Sequence, residues 1–396
     1  MHLPEGFLWG VAGAAHQIEG GNWNSDWWAF EHTPGSGCAE PSGDACDSWH
    51  RYPDDIKLVR DLGFAAYRFS IEWCRIEPED GEFSRAALDH YRRVIATCHE
   101  HGLAPVVTFH HFTTPRWMAD RGGWAEPEVV DKFARFCERS AAHFGDLIAM
   151  GCTINEPNVV SLLGYLMKQF PPGKQDFGLF AKANEHLRAA HARAYDVLKA
   201  GPGDYPVGLT LSMSDWWTPD GGDEGLERAR AMHEDIFLEA ARGNDYIGVQ
   251  AYTRTRIGLD GLPMDPEPGV PIVESMGYEY WPQSLEASIR HAIDVSGVPV
   301  YVTENGIGID DDTTRIEFVT ESLAGLGRCL ADGLDVRGYF YWSLLDNFEW
   351  AEGYKPRFGL VGVDRETFVR TPKPSAAWLG AAAKANTLPS GVNIGT

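Results

Sequence analysis

Eight apolar, strand-like runs recur along the 396-residue chain, and helical patterning separates most of them. The runs cover residues 8–15, 65–71, 103–109, 150–154, 207–211, 246–249, 298–302 and 336–344. Apolar residues at helical spacing mark 85–101, 127–144, 177–200, 225–242, 281–295 and 315–332. Strands that read apolar on both faces and alternate with helices belong to a parallel sheet covered by helices. Eight such units predict a closed (β/α)8 barrel, a single domain over residues 1–396, rather than an open doubly wound sheet. No G-x-G-x-x-G follows the first run, where a dinucleotide fold would carry it. A barrel places its site at the C-terminal ends of the strands, and polar or aromatic residues collect there: Gln17, Glu19, Arg68, His110, His111, Asn155, Glu156, Gln250, Tyr252, Glu304 and Trp342.

Two of these ends share one pattern. Residues 300–306, V-Y-V-T-E-N-G, and 151–157, G-C-T-I-N-E-P, each finish an apolar run with a glutamate beside an asparagine. A lone glutamate at a strand end more often caps a helix or forms a structural ion pair. Two delivered alike suggest a working pair. Glu156 and Glu304 are 148 positions apart (304 − 156), so only a barrel that faces strand four toward strand seven pairs them. Paired carboxyls suit acetal hydrolysis, in which a leaving oxygen gains a proton while a sugar carbon gains positive character. A separation of about 5–5.5 Å retains configuration and roughly 6.5–9.5 Å inverts it.

The chain holds 14 tryptophans, several near strand ends or in loops, among them Trp342 and Trp350, which bracket Glu349 closely. Flat apolar faces among planar hydrogen-bonding groups suit a sugar, although tryptophans are as often core packing. A net charge of −23 opposes binding to nucleic acid or to anionic membranes and fits a small neutral ligand. No apolar run is long enough to span a bilayer, and residues 1–10 lack the basic and apolar regions of a secretory signal. Seven cysteines without C-x-x-C spacing read as free thiols, so a cytoplasmic location is expected. Nothing in the pattern speaks to oligomeric state.

A metal is not expected, nor any cofactor. His110 and His111 are adjacent on a strand and point to opposite faces, one to the lumen and one outward. His186 and His191 are five apart in a helix, off the i, i+4 pattern of helical zinc sites. Two long loops, 23–49 and 258–279, are rich in glycine and proline and suit the rim of a binding site. The 158–176 connection leaves room for only a modest rim.

The ordered motifs F-L-W-G-V-A-G-A-A-H-Q-I-E-G at 7–20, G-D-A-C-D-S-W-H-R-Y at 43–52, Y-R-F-S-I-E-W at 67–73, T-F-H-H from 108, T-I-N-E-P from 153, T-E-N-G from 303 and Y-F-Y-W-S-L-L-D-N-F-E-W at 339–350 span nearly the whole chain. Together they resemble glycoside hydrolase family 1, the retaining β-glucosidase-like barrel enzymes. The resemblance implies that Glu156 is the general acid/base and Glu304 the nucleophile. It implies that Arg68 and Tyr252 hold the nucleophile ionised, that Asn155 donates to the sugar 2-hydroxyl, and that Gln250 stands in the supporting strand-six position. Gln17, His111, Trp342, Glu349 and Trp350 match the non-reducing sugar subsite, and the Trp342–Ser343 peptide matches a cis bond of the family. An arginine beside Glu304 should lower its pKa while partial burial raises that of Glu156.

The expected activity is therefore exo-acting, retaining β-glycoside hydrolysis, with terminal β-glucosides foremost and β-fucosides or β-galactosides beside them. A small β-glycoside or oligosaccharide is the expected partner. The family usually has Trp and then Asp-Leu-Pro where this chain has Phe112, Thr113, Thr114 and Pro115, and Asn-Tyr-Tyr where it has Gln250-Ala251-Tyr252. These changes bear on which sugar fits. Three alternatives share the scaffold. A 6-phospho-β-glycosidase would use basic residues such as Lys355 and Arg357, although Glu349 would repel phosphate. A transglycosylase differs only in the acceptor. A non-catalytic sugar-binding barrel would be expected to have lost one glutamate.

Overall fold

A computed structural model describes residues 1–389. Eight parallel strands close on themselves, each pairing with its neighbours and the first with the eighth. In chain order they are Leu8–Ala12, Ala66–Ser70, Ala104–His110, Met150–Asn155, Val207–Trp217, Tyr246–Arg256, Val300–Asn305 and Val336–Trp342, called barrel strands one to eight below. The predicted barrel is present. Strand one ends earlier than expected and turns into a short helix, Ala15–Ile18, that carries Gln17. Strands five and six run on past the rim, pairing Asp215, Trp216 and Trp217 with Arg254, Thr255 and Arg256.

The side-chain period of two explains where the core stops and the mouth begins. Ala66, Val106, Met150, Tyr246 and Phe340, with Leu8, Ala104 and Tyr301 packed on them, form one apolar cluster drawn from seven strands. A cluster touching seven strands of a closed barrel can only fill its lumen. Two residues further along their strands, Ala66 gives way to Arg68 and Phe340 to Trp342, so the plug is roofed by the site. The other strand faces, including Tyr67, Phe69, Leu209, Val249 and Val302, join the larger core beneath the helices.

Two helices escaped the sequence pattern. Ser48–Leu62 contains Pro53 and buries only Ser48, Asp55, Ile56 and Val59, so its apolar stripe is thin. Pro374–Ala385 is alanine-rich and apolar on all sides, which erases periodicity. The 23–49 loop holds a helix, Asp26–Glu31, and the 258–279 loop holds a two-stranded hairpin of Ile272–Val273 and Tyr278–Glu279. Gly306 shows why the motif after Glu304 ends in glycine: a Cβ there would lie 2.1 Å from the Trp342 carbonyl oxygen. Among the described residues no helix is long and apolar enough to cross a membrane.

Candidate active site

The strand-four and strand-seven glutamates open into one pocket of about 160 Å³, lined also by His111, Asn155, Tyr252, Trp342, Glu349 and Trp350. Sites for drug-sized ligands occupy about 300–1,000 Å³, so this one has the size of a single small ring. A larger groove of about 570 Å³ beside Trp23 and Trp49 contains neither glutamate.

Glu304 is gripped from three sides. Arg68 Nη1 and Gln250 Nε2 donate to its Oε1 at 2.5 and 2.7 Å, and the Tyr252 hydroxyl donates to Oε2 at 2.6 Å. Burial raises the Glu304 pKa, while Arg68, Tyr252 and Gln250 work against the rise. The expected lowering is thus corrected: Arg68 offsets the cost of removing the carboxylate from water without reversing it. Arg68 is itself buried, so one ion pair sits in the floor of the site.

Glu156 has the opposite surroundings. It is held at a left-handed φ of 44°, a strained conformation for a side-chain-bearing residue that costs about 1–3 kcal/mol. Its N–H donates to the Thr210 carbonyl at 2.9 Å, and Pro157 then opens a short helix, Pro157–Ser161. Burial and then the nearby Glu304 charge push its carboxyl well above the usual range, with Arg68 the one opposing influence. No hydrogen bond to the carboxyl enters that balance.

Asn155 links the two. Its Oδ1 accepts from Arg68 Nη2 at 2.5 Å, Gln250 Nε2 at 2.9 Å and Thr210 Oγ1 at 3.0 Å. That fixes the amide, so Nδ2 donates to His111 Nε2 at 3.3 Å and the His111 proton lies on Nδ1. Burial drives the His111 pKa well below its usual value, keeping the ring neutral. His110 instead packs edge-on to Trp124 and Phe133, so the two adjacent histidines do face apart.

Glu349 lines the pocket and is pushed up to about 8 by burial, against hydrogen bonds from Trp342 and Gln17. Gln17 reaches Glu349 Oε2 at 3.4 Å from below and is not itself a lining residue; Arg68 and Gln250 also lie beneath the wall. Gln17 Oε1, His111 Nδ1, Gln250 Oε1 and Glu349 Oε1 are buried and have no hydrogen-bond partner within the protein. The Trp342–Ser343 peptide is cis.

The structure adds lining residues that the motifs did not mark as part of the site: Val159, Phe170, Met276, Tyr278 and Phe358, together with Phe112, noted above only as a departure. Phe170 comes from the 158–176 connection, so that segment supplies a wall as well as a rim. Met276 and Tyr278 come from the hairpin within the 258–279 loop, whose length was the available signal. Among the described residues no group of three or more His, Cys, Asp or Glu could hold a metal.

The model of glycosyl hydrolase family 1 matches residues 1–260 and 262–388. The chain belongs to glycosyl hydrolase family 1. The chain is 34% identical to β-glucosidase A of Thermotoga maritima, over 98% of each protein. A bifunctional β-D-glucosidase/β-D-fucosidase of Bifidobacterium breve is 32% identical, over 96% of this chain and 97% of that protein. The crystal structure of β-glycosidase BGL167 superposes with a TM-score of 0.91 at 47% identity, over 100% of both chains. This family 1 chain is a glycoside hydrolase built on a (β/α)8 barrel, and its substrate is a small glycoside.

Proposed function

We propose that this enzyme hydrolyses terminal β-D-glucosides with retention, and β-D-fucosides beside them, through Glu304 as nucleophile and Glu156 as general acid/base. The observation that carries the reading is the asymmetry of the two carboxyls within one pocket. Glu304, bonded by Arg68, Gln250 and Tyr252, is the easier of the two to ionise and is aimed by three donors. Glu156, buried and without such donors, keeps its proton and gives it to the departing oxygen. Once Glu304 is esterified its charge is gone, and with it one of the influences that hold Glu156 protonated. Glu156 then takes a proton from water, which attacks the glycosyl-enzyme.

The unpartnered polar atoms of Gln17, His111 and Glu349 support a role in holding sugar hydroxyls, with Trp342 and Trp350 offering flat faces. The names of the relatives favour glucose and fucose. A 6-phosphate is disfavoured, because Lys355 and Arg357 line a separate cavity of about 390 Å³ and Arg357 pairs with Asp310 at 3.4 Å. The seven cysteines are all free, which supports a cytoplasmic location. The test is a panel of aryl β-glucoside, β-fucoside, β-galactoside and β-glucoside 6-phosphate, with the first-formed anomer read by NMR. An α-product from any good substrate would sink the retaining assignment.

A further inference from the structure

Against Trp350 lies a buried polar pair that no step above uses. His16 and Glu31 are 1% and 8% exposed, and neither lines the sugar pocket. The His16 ring stacks on Trp350 with 4° between the planes and centroids 5.5 Å apart. Trp350 in turn lies 11° from the plane of His111, which lies 15° from that of Trp342. Four nearly parallel rings thus run from the pocket wall into the interior, and His16 is the innermost.

The edges of His16 are fixed. Asn22 Nδ2 donates to Glu72 Oε2 at 2.9 Å and to His16 Nδ1 at 3.0 Å, while Asn22 Oδ1 accepts from the Cys74 thiol at 3.0 Å. Turning that amide over would set its oxygen against the Glu72 carboxylate, so His16 Nδ1 is an acceptor. The ring proton therefore sits on Nε2, 3.3 Å from Glu31 Oε2. Glu31 Oε1 accepts from the Ser42 N–H and hydroxyl at 3.1 and 2.6 Å. The segment between Glu31 and Ser42 is in turn bonded to the segment that follows Trp350: the Ala39 N–H donates to Ala351 O at 2.8 Å and the Tyr354 N–H to Glu40 Oε1 at 3.0 Å.

Trp350 needs such a support. Its φ is 55°, in the left-handed region that a side-chain-bearing residue holds only when its packing fixes it. We propose that the His16–Glu31 pair is a positioning device: Glu31 fixes the rotation of the imidazole, and the imidazole holds the Trp350 indole flat at the edge of the sugar pocket. The pair sets affinity for the sugar ring and leaves bond breaking to Glu156 and Glu304. This rests on the reading that Trp350 lies against the sugar.

The test uses His16→Phe, which keeps a flat ring and removes the donor, and the double variant His16→Phe/Glu31→Leu, which removes both polar partners. Affinity is read as the Kd of a non-hydrolysed β-thioglucoside, and the chemical step as kcat on an aryl β-glucoside. His16→Phe should weaken thioglucoside binding about tenfold, with kcat within about twofold of wild type. The double variant should regain melting temperature and not affinity, which a merely structural pair would not do. Affinity within twofold of wild type in either folded variant overturns the proposal. Nitrogen-15 NMR of histidine-labelled wild type tests the pair without activity: a His16 proton on Nδ1 overturns it as well. If the wild type neither bound the thioglucoside nor cleaved any aryl β-glycoside, the functional reading would fail while the NMR outcome still decided the geometry of the pair.

Discussion

The ends of barrel strands four and seven deliver the same side chain by the same local pattern, and the fold then treats the two differently. Glu304 meets Arg68 of strand two and Gln250 and Tyr252 of strand six within 2.7 Å. Glu156 accepts a hydrogen bond from none of them and feels the Glu304 charge, opposed only by the charge of Arg68. Burial is common to both, so burial alone does not separate a nucleophile from an acid. What separates them is who donates to the carboxylate. The largest expected effect tests that difference directly. Glu304→Gly should lower kcat on the order of 10⁴-fold or more, because it removes the carboxylate proposed to form the covalent intermediate. Full activity in that variant would end the assignment.

Glu156→Ala should cost less, about 10²–10⁴-fold on substrates with poor leaving groups. The loss should shrink on a nitrophenyl glycoside, which needs little protonation. Added azide should then restore turnover and give a β-glycosyl azide, detected by NMR. No rescue would mean that Glu156 is not the proton donor of this pair.

The next contrast concerns the donors. Gln250→Ala removes one of the bonds that oppose the rise in the Glu304 pKa. The sign follows from the proposed role: a nucleophile must be a carboxylate, so a higher pKa moves the acid limb of kcat/KM to higher pH. A loss of about 10–100-fold is expected with that displacement. A fall in rate with an unmoved acid limb would show that Gln250 serves geometry alone.

How much of this was legible in the sequence differs between the two halves of the site. The eight strands were readable because most of their residues are buried on both faces, and Arg68, Asn155, Gln250, Tyr252 and Glu304 do converge. Phe170, Met276 and Tyr278 were not assigned to the site, because they stand on irregular segments whose path is set by tertiary contacts. Arg254, for example, ties the strand-six loop down through ion pairs to Glu267 and Glu279 and lies over Trp281 at 3.9 Å. Nor could the pattern foretell that Glu304 is raised, since the sequence shows the arginine that opposes burial and not the depth of burial itself.

A buried carboxyl with no place in the pocket sharpens the comparison. Glu234 sits in the π-turn Ala231–Asp235 and accepts from the Ser214 N–H at 3.0 Å and the Trp216 indole at 2.7 Å. Burial pushes its pKa up to about 8 from 4.5 despite those bonds, and its second oxygen has no partner within the protein. Its folded pKa lies above its unfolded one, so the folded state binds the extra proton between those values. The stability this contributes is complete below about pH 4.5 and is lost as pH rises toward 8. Glu234→Gln, neutral at every pH, should therefore flatten the fall of melting temperature across that window by a few degrees. Its kcat/KM profile should match wild type, because the proposed roles assign the acid limb to Glu304 and the alkaline limb to Glu156. A profile displaced by Glu234→Gln would mean that proton affinity in this barrel is shared beyond the pocket, and that the contrast between strands four and seven is only part of what assigns the two roles.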